Sequence, residues 1–118
     1  MSDEQTRKVM EQFGDAFRRH DPSLLETILH ADCVLENSSP APDGARYVGR
    51  DECLKFWSGI AANTELNFET EETWVAGDRA VRRWTLRWGP GEDDRVRGVN
   101  LMRVRDGLIV EGMGYVKS

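Results

Sequence analysis

Asn37, Asn100 and Arg83 are the side chains in this sequence whose type and setting point to chemistry. Each falls in or beside a segment with the alternating pattern of a β-strand, where asparagine is disfavoured unless its amide is used. Asn100 stands between Val99 and Leu101 in mid-strand, and Asn37 follows Cys33-Val34-Leu35-Glu36 just before a loop. Two amides can converge on one ligand oxygen, or each can hydrogen-bond locally to backbone at a strand end. Arg83 has two readings as well: a cation in a pocket, or a salt bridge to Glu36, Glu69 or another acid. Amides and a guanidinium together stabilise an oxyanion. None of them serves as a general base near pH 7.

The remaining reactive residue types form no constellation. His20 and His30 fall at predicted helix ends, where histidine is ordinarily solvated. His30-Ala31-Asp32-Cys33 offers ligand types, but consecutive residues cannot all face one ion. Glu36 alternates with Asn37 and so faces away from it, and Asp15 lies two positions past Phe13 on the first helix. There is no Ser-His-Asp or Cys-His arrangement, no G-x-G-x-x-G and no phosphate loop. No metal and no cofactor is expected.

The elements that must position these groups are legible in the apolar pattern. Ser2 and Gln5 read as a capping box. Val9, Phe13, Ala16 and Phe17 then form one helical stripe. Asp21-Pro22 is a second helix start, with Leu24, Leu25, Ile28 and Leu29 carrying that helix to about His30. Residues 33–37 read as a strand and 38–44, with two prolines and a glycine, as a loop. Gly49 precedes a third helix with Cys53, Phe56, Trp57 and Ile60 on one face.

From about Thr64 the period changes to alternation. Strands are predicted near 65–75, 79–88, 95–105 and 108–116, each joined by a glycine-bearing turn. The pattern is α+β: three N-terminal helices on a curled, mostly antiparallel sheet, in one domain spanning 1–118. Such a curled sheet closed by helices is a cone with an interior. Phe13, Phe17, Trp57, Met102 and Met113 are expected in its wall or core. On the strand 79–88, Ala80, Arg82, Trp84, Leu86 and Trp88 share one side, the more apolar, which packs a core or a dimer face. Val81, Arg83, Thr85 and Arg87 share the other.

The chain has 118 residues, with 16 basic and 21 acidic side chains. The first 78 residues carry 7 basic against 16 acidic, whereas residues 79–105 carry 8 basic against 3 acidic. Overall acidity argues against nonspecific nucleic-acid binding. The arginines interleave with Trp84 and Trp88 as in RNA-binding sheets, but alternation splits them between two faces and no RNP signature is present. No run approaches the ~20 apolar residues of a membrane span. The first residues lack the basic and apolar regions of a secretory signal, so a cytoplasmic location is expected. Cys33 and Cys53 are too few for a disulfide framework.

Asp21-Pro22-Ser23-Leu24-Leu25, His30-Ala31-Asp32-Cys33, Tyr47-Val48-Gly49-Arg50-Asp51 and Val104-Arg105-Asp106-Gly107-Leu108-Ile109 carry a resemblance. In this layout the sequence resembles the NTF2-like superfamily, and within it the SnoaL-like and ketosteroid-isomerase-like branch. The resemblance implies a cone holding a small, mostly apolar ligand, and a homodimer through the outer sheet face. Where ketosteroid isomerases use a tyrosine, an aspartate base and a protonated aspartate, this sequence has Phe13, Asn37 and Asn100. SnoaL-type cyclases use an aspartate at the position of Asn100, with a histidine. The sequence is also similar in part to limonene-type epoxide hydrolases: Asn37 matches their asparagine and Arg83 their arginine. Leu35 stands for their tyrosine, and Thr85 and Gly114 for their two aspartates.

That resemblance places Arg83 and Thr85 inside the cone. The expected ligand-binding set is therefore Phe13, Phe17, Trp57 and Met102 as walls, with Asn37, Arg83, Thr85 and Asn100 as polar groups. The implied function is binding of a small apolar carbonyl or hydroxyl compound, with isomerisation, cyclisation or hydration as the chemistry. The alternative is a non-catalytic module that homodimerises through its tryptophan-rich strand.

Overall fold

A computed structural model describes residues 3–117. The Ser2 half of the expected capping box lies outside the described residues. Helix α1 runs Asp3–Arg18, with Thr6, Val9, Met10, Phe13, Ala16 and Phe17 buried along one stripe. Asp3 and Glu4 lie in its first turn and Arg18 in its last, matching the helix dipole.

The second expected helix is a single 3-10 turn, Pro22–Leu25. Asp21 caps it by accepting from the Ser23 amide. The chain then goes extended, because the Ile109 amide donates to the Ile28 carbonyl at 2.7 Å and Leu29 enters register with Ile109. Sheet pairing thus captures residues whose apolar spacing reads as helical. Strand β1 is Leu29–Glu36 rather than 33–37, and the described residues hold two α-helices rather than three. A short strand β2, Arg46–Val48, pairs antiparallel with β1 and was not predicted.

Helix α2 is Arg50–Ala62, entered through Gly49 at φ +93°, a backbone region that favours glycine. It buries Cys53, Trp57 and Ala61. Strands β3 (Asn67–Ala76), β4 (Arg79–Arg87), β5 (Arg95–Arg105) and β6 (Leu108–Val116) form an antiparallel meander. The sheet order is β2-β1-β6-β5-β4-β3, with β1 parallel to β6. The six strands form a curled, unclosed sheet, and the helices pack on its inner face over the buried core. Among the described residues, no helix is long and apolar enough to cross a membrane.

Register assigns the faces. Residues paired across strands point to the same side, so Ala80–Met102–Gly112–Leu35 form one inward row. Arg82–Asn100–Gly114 form the next, and Trp84–Gly98–Val116 the third. Gly112 and Gly98 make room for indoles. A Cβ on Gly112 would meet the Trp57 ring at 2.8 Å, and one on Gly98 would meet the Trp84 ring at 2.6 Å.

Candidate functional site

The inward rows enclose a cavity of about 190 Å³. Its walls are aromatic. Trp57, Phe13, Phe17, Phe68 and Trp84 form a continuous chain of edge-to-face contacts, with neighbouring centroids 5.0 to 5.4 Å apart. Leu35, Phe56, Ile60, Leu66, Leu86 and Val116 complete the apolar lining. The polar lining comes from Glu36, Asn37, Ser38, Arg82 and Asn100, beside Gly114.

The orientation of Asn100 follows from its partner. The Trp84 indole nitrogen, a pure donor, gives its hydrogen to Asn100 Oδ1 at 3.0 Å. The Asn100 Nδ2 group is therefore the end left to meet a ligand, and it has no protein partner among the described residues. Asn37 behaves alike. Its Oδ1 accepts from the Ala45 amide at 2.8 Å and its own amide donates to the Ala45 carbonyl, closing the loop 38–44. Its Nδ2 too has no protein acceptor among the described residues. Glu36 is engaged elsewhere, its Oε2 accepting from Arg46 at 2.6 Å.

Arg82 is 3% exposed. Its Nη2 donates to Thr70 Oγ1 at 2.8 Å, and its guanidinium carbon lies 5.5 Å from the Phe13 ring centroid. Burial lowers its pKa to about 10. It is a cation at neutral pH even so. Beside the Ser38 hydroxyl, the free polar groups of the lining are thus donors: two amides and a guanidinium. His20 Nδ1 is engaged by the Ala61 carbonyl and His30 Nδ1 accepts from the Asp32 amide, both away from the cavity.

Of the expected set, Phe13, Phe17, Asn37, Trp57 and Asn100 come together around this cavity. Arg83 and Thr85 do not. They point to the outer face, where Thr85 Oγ1 donates to Glu71 at 2.7 Å and Arg83 lies 3.5 Å from Glu71 and Glu72. The carry-over from the epoxide hydrolases is one residue out of phase, and in a strand a one-residue slip reverses every side chain. Glu71 sits at a bulge between the Thr70–Trp84 and Glu72–Arg83 pairs and takes a two-pronged contact from Arg97, at 2.7 and 3.0 Å. These contacts pull the Glu71 carboxyl down to about 2. Met102 is fully buried in the core row under the cavity, not in its lining.

Sequence reasoning missed Arg82 and Trp84 as lining residues. The signal was present, since both share the apolar side of β4 with Leu86. Cys33 and Cys53 are buried together between β1 and α2, and burial pushes both thiols up. Among the described residues no cluster of metal-ligating side chains occurs.

The sequence pattern of the SnoaL-like domain matches residues 10–112. The chain belongs to the SnoaL-like domain family. No curated protein matches this SnoaL-like chain. Among solved structures it is similar to an NTF2-like protein of unknown function from Mesorhizobium loti, at 52% identity and TM-score 0.91, over 98% of this chain and 93% of that one. A protein from Kribbella flavida provisionally named a ketosteroid isomerase is 22% identical, with TM-score 0.82 over 98% and 79% of the two chains. One from Sinorhizobium meliloti provisionally named a polyketide cyclase is 23% identical, with TM-score 0.73 over 92% and 94%. The Mesorhizobium loti likeness shows the NTF2-like fold of this SnoaL-like protein, and the last two show a shared fold alone and leave its chemistry to its own side chains.

Proposed function

We propose that this SnoaL-like protein binds a small organic molecule with an apolar ring and an exposed oxygen acceptor. The ring lies among Phe13, Trp57 and Trp84, and a carbonyl or hydroxyl oxygen accepts from Asn100 Nδ2 at the cavity's polar end, with Asn37 beside it. One observation carries this reading: the Trp84 indole holds Asn100 Oδ1, which leaves the amide donor for a ligand. The volume sets the ligand class. Drug-sized ligands occupy roughly 300–1,000 Å³, whereas a cavity of roughly 150 Å³ takes benzene. About 190 Å³ suits a single substituted ring better than a steroid.

Among the described residues that line the cavity, the carboxylate, Glu36, is paired with Arg46 and no imidazole occurs, which favours binding and carbonyl polarisation over proton abstraction. Isomerisation, cyclisation or hydration then relies on water or on the substrate for its base. The test is titration with acetophenone, followed through the Trp84 indole and Asn100 amide NMR signals. Saturable shifts of both are expected. Unmoved signals at millimolar ligand would refute the binding reading.

A second reading, compatible with the first, is homodimerisation through the outer sheet face. Trp74, Val81, Leu101 and Met113 form one outward row, with Tyr115 adjacent. Trp74 is 52% exposed, Leu101 40% and Tyr115 59%. Exposed apolar groups so grouped favour an interface. Trp88, one residue past the end of β4, lies beyond that row. Light scattering on the wild type and on Leu101→Asp decides: a dimeric mass that falls to monomeric supports the interface. A monomeric wild type removes it.

A further inference from the structure

Resting on the binding reading above, we propose that the ligand is a single-ring carboxylate whose charged end pairs with Arg82. The ring lies against Phe13 and Trp84, and Asn100 receives a second oxygen or one edge of the carboxylate.

The argument starts from what Arg82 lacks. A guanidinium carries several N–H donors in a fixed fork, suited to a carboxylate. Here a single protein acceptor, Thr70 Oγ1, is engaged. Arg82 makes no ion pair among the described residues, although its sheet neighbours do: Arg83 lies near Glu71 and Glu72, and Arg97 binds Glu71. Asp15, on the facing helix, is taken by Arg18 at 2.6 Å. A buried cation without a counter-ion is costly, and burial depresses its pKa accordingly. The Phe13 ring face at 5.5 Å offsets part of that cost.

The surroundings are shaped for this side chain. Gly14 on α1 faces it, and a Cβ there would lie 3.3 Å from Nη2. Arg82 also lines the cavity directly. Arg82 and Asn100 are register partners, so one strand spacing of ~4.8 Å separates their backbones. A single substituted ring can therefore address both.

Calorimetric titration with benzoate and with its neutral isostere benzamide tests this in the wild type and in Arg82→Met. Benzoate is expected to bind the wild type about tenfold more tightly than benzamide. In Arg82→Met, the preference for benzoate over benzamide is lost. If benzamide binds the wild type and benzoate binds no tighter, the carboxylate proposal fails and the cavity reading stands. If neither binds at millimolar concentration, the cavity reading fails and this proposal goes with it. Arg82 also borders a surface cleft shared with Met10, Glu11, Asp15 and Arg18, neither carboxylate of which is within ion-pair distance of it. Benzoate that shifts their amide signals but not the Trp84 indole overturns the proposal as well. The wild-type comparison is decisive even if the variant does not fold.

Discussion

The Trp84 indole donates to the Asn100 side-chain oxygen at 3.0 Å, across the β4–β5 pair. This contact turns an ambiguous amide into a donor of fixed direction. Trp84→Phe keeps a ring in the wall and removes that donor. A net hydrogen bond contributes about 0.5–1.5 kcal/mol, so stability falls by about 1 kcal/mol in urea unfolding. Acetophenone affinity falls about three- to tenfold, because the amide is free to turn. Unchanged affinity would mean that the indole does not orient Asn100.

Gly112→Ala tests the seating of Trp57. The added methyl meets the indole at 2.8 Å, and a packed core pays for such an intrusion with about 1–3 kcal/mol. A lower urea midpoint and altered Trp57 fluorescence are the expected readouts. Wild-type stability would show that the indole moves aside freely.

Arg82→Met is expected to stabilise the free protein by about 1–3 kcal/mol at pH 7, since it replaces an unpaired buried cation with an apolar chain. The sign with pH is fixed. Burial lowers the folded pKa of Arg82 to about 10, below its ordinary value, so between the two the unfolded chain binds more protons. Its burial penalty is full below about 10 and declines as pH rises through that window. The advantage of the variant should shrink accordingly between urea midpoints taken at pH 7 and about pH 11. A destabilised variant at neutral pH would assign Arg82 a net structural role.

Glu71 is the outer-face counterpart. Arg97 first, then Thr85, hold its carboxyl down at about 2. Its folded pKa is depressed, so the stability it contributes is present above the ordinary value of 4.5 and is lost as pH falls through about 2. Carboxyl NMR should give a midpoint near 2. In Arg97→Met that midpoint moves up toward the ordinary value. An unmoved midpoint would place the cause elsewhere.

Much of the scaffold was legible in the sequence. The Val9–Phe17 stripe, the third predicted helix around Trp57 and the four-strand meander with its glycine turns all follow from local periodicity and turn chemistry. The helix expected after Asp21-Pro22 did not form beyond Leu25. Leu29 has a strand partner eighty residues away, in Ile109, and local spacing carries no trace of it. The unpredicted β2 likewise exists only because Arg46–Val48 meets β1.

The sequence by itself determined the α+β plan, the aromatic stock of the cavity wall and the arginine-rich strands. Alternation also determined that Arg82 and Arg83 lie on opposite faces of β4. The apolar company of Arg82 on its side of β4 was the one local signal for which of the two looks inward, and tertiary structure decided it, through the register of β4 against β3 and β5 and the helix that covers one side. It likewise gave Glu71 to Arg97 and Arg83 and left Arg82 without an acid among the described residues. Periodicity separates the faces of a strand, and long-range packing chooses the buried one.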